Sequence, residues 1–136
     1  MLLTVVFTIQ GRVVGAVACW RWLVLRPGEC PRTLLDGLAA ALLGDATALP
    51  ELAALGYDTA KFSALMRDAP VHAIPLIQSA LEQGARKFCQ DNLRTTPAQA
   101  RCLLIIDQLE EIFTIERFSN AQRLAFVHAL ATLANS

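Results

Sequence analysis

The sequence predicts an α/β domain in which helices flank a parallel sheet, and three observations predict it. Leu103-Leu-Ile-Ile106 is an unbroken aliphatic run ending in Asp107, the form of a parallel strand covered on both faces. Leu2–Ile9 and Trp20–Arg26 are short and rich in β-branched and aromatic residues, which suits strands. Apolar residues recur at helical spacing at 34, 35, 38, 41 and 42, and again along 76–88.

Taken in order, Leu2–Ile9 predicts a first strand and Gly11–Gly15 a turn. Trp20–Arg26 predicts a second strand, stopped by Pro27-Gly28 because proline cannot continue a ladder. Pro31 suits the first turn of a helix that carries the stripe from Leu34 and ends at Gly44. Thr47–Leu55 reads as a short helical turn closed by Gly56. Asp58 is placed to cap a helix running to about Arg67. Pro70 and Pro75 bracket the start of a helix that reaches about Gln90. Asn92–Ala100, polar and containing Thr-Thr-Pro, reads as a loop before the third strand, Cys102–Asp107. Ser119-Asn120 caps a last helix with Leu124, Phe126, Val127, Leu130 and Leu133 as its stripe. No internal repeat is present.

Composition narrows the function. Of 136 residues, 54% are hydrophobic and 18% charged, so the chain has the material for a core and is not a disordered segment. Net charge is zero and there is no basic run, which removes the electrostatic case for nucleic acid. The four cysteines have no C-x-x-C spacing and no histidine beside them, so they read as reduced thiols packed as small hydrophobes in a cytoplasmic protein, not as zinc ligands. Residues 2–25 are apolar enough to raise a membrane-tethered reading. Arg12 and Arg21 oppose it, each costing about 2.5–3.5 kcal/mol at mid-membrane.

Asp107, Glu110 and Glu111 are the constellation that suggests chemistry. A rigid strand that delivers acids to its C-terminal tip can hold Mg²⁺ and poise a water for attack on a phosphoryl group. The same three acids equally suit the first turn of a helix, where carboxylates face the positive end of the dipole. Elsewhere, Arg26 reads as a solvated strand-end residue. Trp20 and Trp22, on one face of a strand, read as core or rim packing. His128 reads as a partly buried helix residue, His72 as a loop residue and Cys102 as an inert thiol.

Three segments together resemble the novel STAND NTPase family of bacterial P-loop signal-transduction ATPases. They are Trp20-Arg-Trp-Leu-Val-Leu-Arg-Pro-Gly28, the Leu34–Leu42 helix and Leu103-Leu-Ile-Ile-Asp-Gln-Leu-Glu-Glu-Ile-Phe-Thr114. Glu116, Arg117, Phe126, Ala129 and Leu130 also look like the family, and the likeness runs from about Cys19 to Ser136. The resemblance implies a partial P-loop NTPase-like parallel sheet in which Leu103–Thr114 is the Walker B segment. By it Asp107 is the Mg²⁺ acid, Glu111 the water-activating acid and Glu110 the second choice. ATP and Mg²⁺ are the parent family's cofactors.

The phosphate loop G-x-x-x-x-G-K-[ST] is absent. The only lysines, Lys61 and Lys87, lie in no such context. Residues 1–18 are therefore expected to be a divergent N-terminal segment with a possible strand, and 19–136 a partial, truncated STAND-type NTPase domain. No bound cofactor and no activity are expected of the isolated chain. With a neighbour of the third strand missing, a protein partner or self-association is expected. The rival reading is a non-enzymatic protein-interaction module.

Overall fold

The computed structural model describes residues 5–10, 16–94 and 98–134, with side chains from Cys19 onward. Three strands form one sheet: β1 (Val5–Gln10), β2 (Ala16–Leu25) and β3 (Ala98–Ile106), in the order β1-β3-β2. The six helices are α1 (Leu34–Gly44), α2 (Glu51–Ala54), α3 (Thr59–Asp68), α4 (Pro70–Asp91), α5 (Glu111–Thr114) and α6 (Asn120–Ala134). Among the described residues no helix is long and apolar enough to cross a membrane.

The expected α/β class holds, and β2 and β3 are parallel. The expected parallel sheet is met by that pair alone. β1 runs antiparallel to β3 from Val5↔Ile106 to Gln10↔Arg101, so the sheet is mixed. The same pairing corrects the expected open edge of the third strand, because β3 has a hydrogen-bonded neighbour on each side. The outer edge of β2 is partly closed too. Trp22 donates its N–H to the Thr47 carbonyl at 2.7 Å and accepts from the Thr47 hydroxyl at 3.0 Å.

Several boundaries move. β3 starts at Ala98, inside the segment expected to be loop, and residues 95–97 and the Gly11–Gly15 turn lie outside the described residues. α1 begins after Thr33, whose side chain accepts from the Asp36 N–H, and not at Pro31. Asp58 caps α3 as expected, accepting from Lys61 N at 2.8 Å. Gly56, at φ 93°, makes the left-handed turn that β-carbon sterics deny most residues. Pro75 lies within α4, and so does His72, which is an exposed helix residue, not a loop residue.

The core is one cluster. Leu23 and Leu25 of β2 and Cys102, Leu104 and Ile106 of β3 meet Leu34, Leu38, Ile77, Ala80, Phe126 and Leu133 from the helices. In α6 the buried residues are Phe126, Ala129 and Leu133, while Leu124 and Val127 are exposed. That helix is apolar around much of its circumference, so composition could not say which stripe turns inward. His128 is exposed as well, not half buried. From Ala100 to Ile106 the burial of β3 alternates strictly. Its aliphatic run led to an expectation of cover on both faces; the helices cover one.

One charge enters the covered face. Arg21 of β2 reaches Glu51 of α2 through two contacts, at 2.6 and 3.1 Å, and donates to the Ala48 carbonyl at 2.8 Å. Gly84 of α4 leaves it room, since a Cβ there would sit 2.8 Å from the guanidinium.

Candidate functional site at the strand tips

Parallel strands end together. Leu25 lies opposite Ile106, and the Asp107 N–H continues the ladder by donating to the Leu25 carbonyl at 2.9 Å. The next side chains, Arg26 and Asp107, are therefore delivered side by side. Arg26 Nε donates to Asp107 Oδ2 at 3.0 Å, and Arg26 also approaches Glu29 at 3.7 Å. Arg26 is thus not a merely solvated strand-end residue, although its side chain remains 49% exposed against 27% for Asp107.

Beyond the tips the two chain segments pack on each other. Pro27–Glu29 forms a single 3₁₀ turn, and Asp107–Glu110 forms the turn that leads into α5. Gln108 holds φ at 59°, a left-handed conformation uncommon outside glycine and asparagine. It aims Glu111 back toward the 3₁₀ turn. Glu111 then lies so close to Gly28 that a Cβ on residue 28 would strike its carboxylate Oε2 and come within 3.3 Å of Ile115 Cδ1. Glycine in the Arg-Pro-Gly sequence is what lets Glu111 approach.

Two arginines with no structural role foreseen from the sequence fasten this arrangement. Arg117 donates to the Gly28 carbonyl at 3.1 Å and the Arg32 carbonyl at 3.5 Å, with its guanidinium 4.4 Å over the Phe118 ring. Arg123 of α6 donates to the carbonyls of Ile112 and Ile115 and to Asn120 Oδ1. A one-turn helix such as α5 leaves its carbonyls without intrahelical partners. That need for donors was the available signal, and Arg123 shortly downstream answers it. Arg117 itself lies in the turn before α6 and not in the helix.

The three acids thus follow one another along the segment that leaves the β3 tip. Asp107 faces Arg26, Glu111 faces Gly28, and Glu110 stands just before α5 without a side-chain capping bond. Among the described residues no three acids, histidines or cysteines converge as a metal cage. Arg26 already neutralises one Asp107 oxygen. The donors suit a Mg²⁺ ion that takes one carboxylate and completes its shell with water and phosphate oxygens; they do not make an all-protein site.

Two of the buried thiols, Cys30 and Cys102, are poor nucleophiles. Burial pushes Cys30 up to about 11 and Cys102 up to about 12, so the thiolate is scarce at neutral pH. A separate cavity of about 280 Å³ opens between α1, α3 and α6, lined by Asp36, Ser63, Arg67 and Gln122 among others, and none of the three acids lines it.

The fold is thus an α/β domain with an arginine and an acid side by side at adjacent strand tips. The chain matches the family model for novel STAND NTPase 1 over residues 7–136, and it belongs to that family. No curated protein and no solved structure matches it.

Proposed function

We propose that this chain is the part of a STAND-type P-loop NTPase domain that carries the Walker B acids, lacks a phosphate loop of its own, and is inactive in isolation. The observation that supports the reading best is the pairing at the strand tips, with Asp107 on Arg26 and Glu111 one turn onward against Gly28. Asp107 would hold the ion, Glu111 would take the proton of the attacking water and Glu110 would matter less. When bound, Mg²⁺ with ATP supplies neutralisation of the charge that builds on the transferring phosphoryl group. The parent activity would be ATP-dependent signalling or defence in a bacterial cytoplasm, with the nucleotide acting as a conformational switch.

Phosphate affinity in such sites comes mainly from loop amides and a lysine, so titration of the chain with a fluorescent ATP analogue should show negligible binding. A low-micromolar Kd would overturn the reading. With a phosphate loop and a further strand grafted on, Glu111→Gln should keep nucleotide binding and slow turnover roughly 10²-fold or more. Glu110→Gln should do less. Unchanged turnover in Asp107→Asn would remove the metal role.

A second reading, a protein-interaction module, is favoured by a different observation: the exposure of Trp20, Trp22 and Val24 on one face of the sheet.

A further inference from the structure

The cavity of about 280 Å³ where α1, α3 and α6 meet is held open by small side chains. Ala121 and Ala125 of α6 and Ser63 of α3 face a space that larger residues would fill, and protein interiors keep few such gaps. Leu35 of α1 adds an apolar wall.

Two opposite charges stand on the lining, Asp36 near the start of α1 and Arg67 near the end of α3. They do not pair with each other. Arg67 binds Asp68 through Nε and Nη2, at 3.0 and 3.2 Å. That occupies one edge of the guanidinium, and the Nη1–Nη2 edge keeps its donors for a second carboxylate. The Asp36 backbone N–H donates to Thr33, but its carboxylate has no hydrogen bond or ion pair among the described residues. The two charges are within electrostatic reach. The Arg67 guanidinium is held above its ordinary value first by the Asp68 hydrogen bonds and, in smaller part, by the charge of Asp36.

Ser63 adds a hydroxyl. The residue is 6% exposed. A serine inside a helix can bond the carbonyl one turn back, yet Ser63 makes no side-chain hydrogen bond among the described residues. The occluded side-chain atoms without partners are those of Gln99, Arg101 and Gln122. The Ser63 hydroxyl is therefore not sealed in, and the little surface it keeps faces the cavity.

These groups select a ligand by charge and size. A lone anion would meet Asp36, and a lone organic cation would meet Arg67. A neutral apolar molecule would use neither charge. A cavity of about 150 Å³ holds benzene, so this one takes about eleven non-hydrogen atoms, too few for a nucleotide. A free α-amino acid meets every term. It carries an ammonium, a carboxylate one carbon away and a side chain for the apolar wall.

We propose that the cavity between α1, α3 and α6 binds a free α-amino acid with an apolar side chain, its ammonium held by Asp36 and its carboxylate by Arg67 and Ser63. The site goes beyond the NTPase reading and shares no residue with it.

Calorimetric titration of the full chain, without nucleotide, tests this with L-valine, L-leucine, L-isoleucine, L-methionine and L-phenylalanine. At least one should bind with a Kd below about 1 mM. Analogues lacking the amino or the carboxyl group, for leucine 4-methylpentanoate and 3-methylbutylamine, should bind about tenfold more weakly or worse, as for loss of a close charge pair. Asp36→Asn should remove the preference for the amino acid over its carboxylate analogue. Arg67→Gln should remove the preference over the amine. Ala125→Leu should fill the cavity and abolish binding, and Ala121→Leu serves if that variant fails to fold. The proposal is overturned if none of the five amino acids binds, or if a single-charge analogue binds as well as its parent. Affinity unchanged by Asp36→Asn and Arg67→Gln, or binding that survives the filled cavity, would overturn it equally. None of these outcomes touches the ATP reading, which the analogue titration tests separately.

Discussion

Arg21 and Arg101 are near neighbours on adjacent strands, yet they lie on opposite faces of the sheet and in opposite circumstances. Arg21 enters the helix-covered face with Glu51 and the Ala48 carbonyl as partners and a glycine leaving it space. Arg101 stands among apolar side chains on the open face, with no acceptor for its Nε. The difference teaches that an arginine in a strand says little by itself. Its role follows from whether an element packed above it brings a counter-charge.

The largest effect should come from breaking the completed pair. Removing one partner of a buried ion pair costs about 3–5 kcal/mol. The side chains of Arg21 and Glu51 keep 16% and 17% exposure, so water screens part of the loss and Glu51→Ala should cost about 2 kcal/mol. Urea unfolding gives the value. Arg21→Met with Glu51→Met should recover most of it, and a double variant as unstable as the single one would mean that the pair is not what holds α2 to the sheet.

A smaller effect is expected at the strand tips. Gly28→Ala should cost about 1 kcal/mol, the low end for overpacking a filled site, because the new methyl must displace the Glu111 carboxylate. The cost should largely disappear in a Glu111→Ala background. Persistence of the full penalty there would put the strain in the Arg-Pro-Gly backbone.

Smaller again is the Arg26–Asp107 pair, which is partly solvated. Asp107→Asn should change stability by less than about 1 kcal/mol, and by less still as salt is raised. Thermal melts at low and high ionic strength decide this, and a loss that ignores salt would argue for a buried role. The smallest effect belongs to the open face. Arg101→Gln should stay within about 0.5 kcal/mol of the parent, since no partner is lost. A large destabilisation would show that Arg101 is already satisfied and would erase the contrast with Arg21.

What was legible in the sequence depended on range. Asp58 and Ser119 announced their helices because a cap acts over three residues, and both do cap. The stripes at 34–42 and 76–88 announced α1 and α4 by period alone. Asp107, Glu110 and Glu111 were legible as acids after a strand for the same reason. The reading failed where two signals were alike. An aliphatic β3 looks the same whether one face or both are covered, and α6 has apolar residues on more than one side. Trp20 and Trp22 were placed correctly on a common face, but core and rim stayed open as alternatives, because periodicity says which residues go together and not which set is covered.

By itself, then, the sequence determined the α/β character, the caps, most helix spans and the position of the acids, all fixed by contacts within a turn or two of chain. Tertiary structure alone decided the antiparallel pairing of β1, the choice of covered face, the ion pair of Arg26 with Asp107 across 81 residues and the bond from Arg117 to the Gly28 carbonyl across 89. Such contacts require distant segments to be brought together against the entropy of the intervening chain. Which of them form depends on the packing of the whole core, and no local window of sequence contains that.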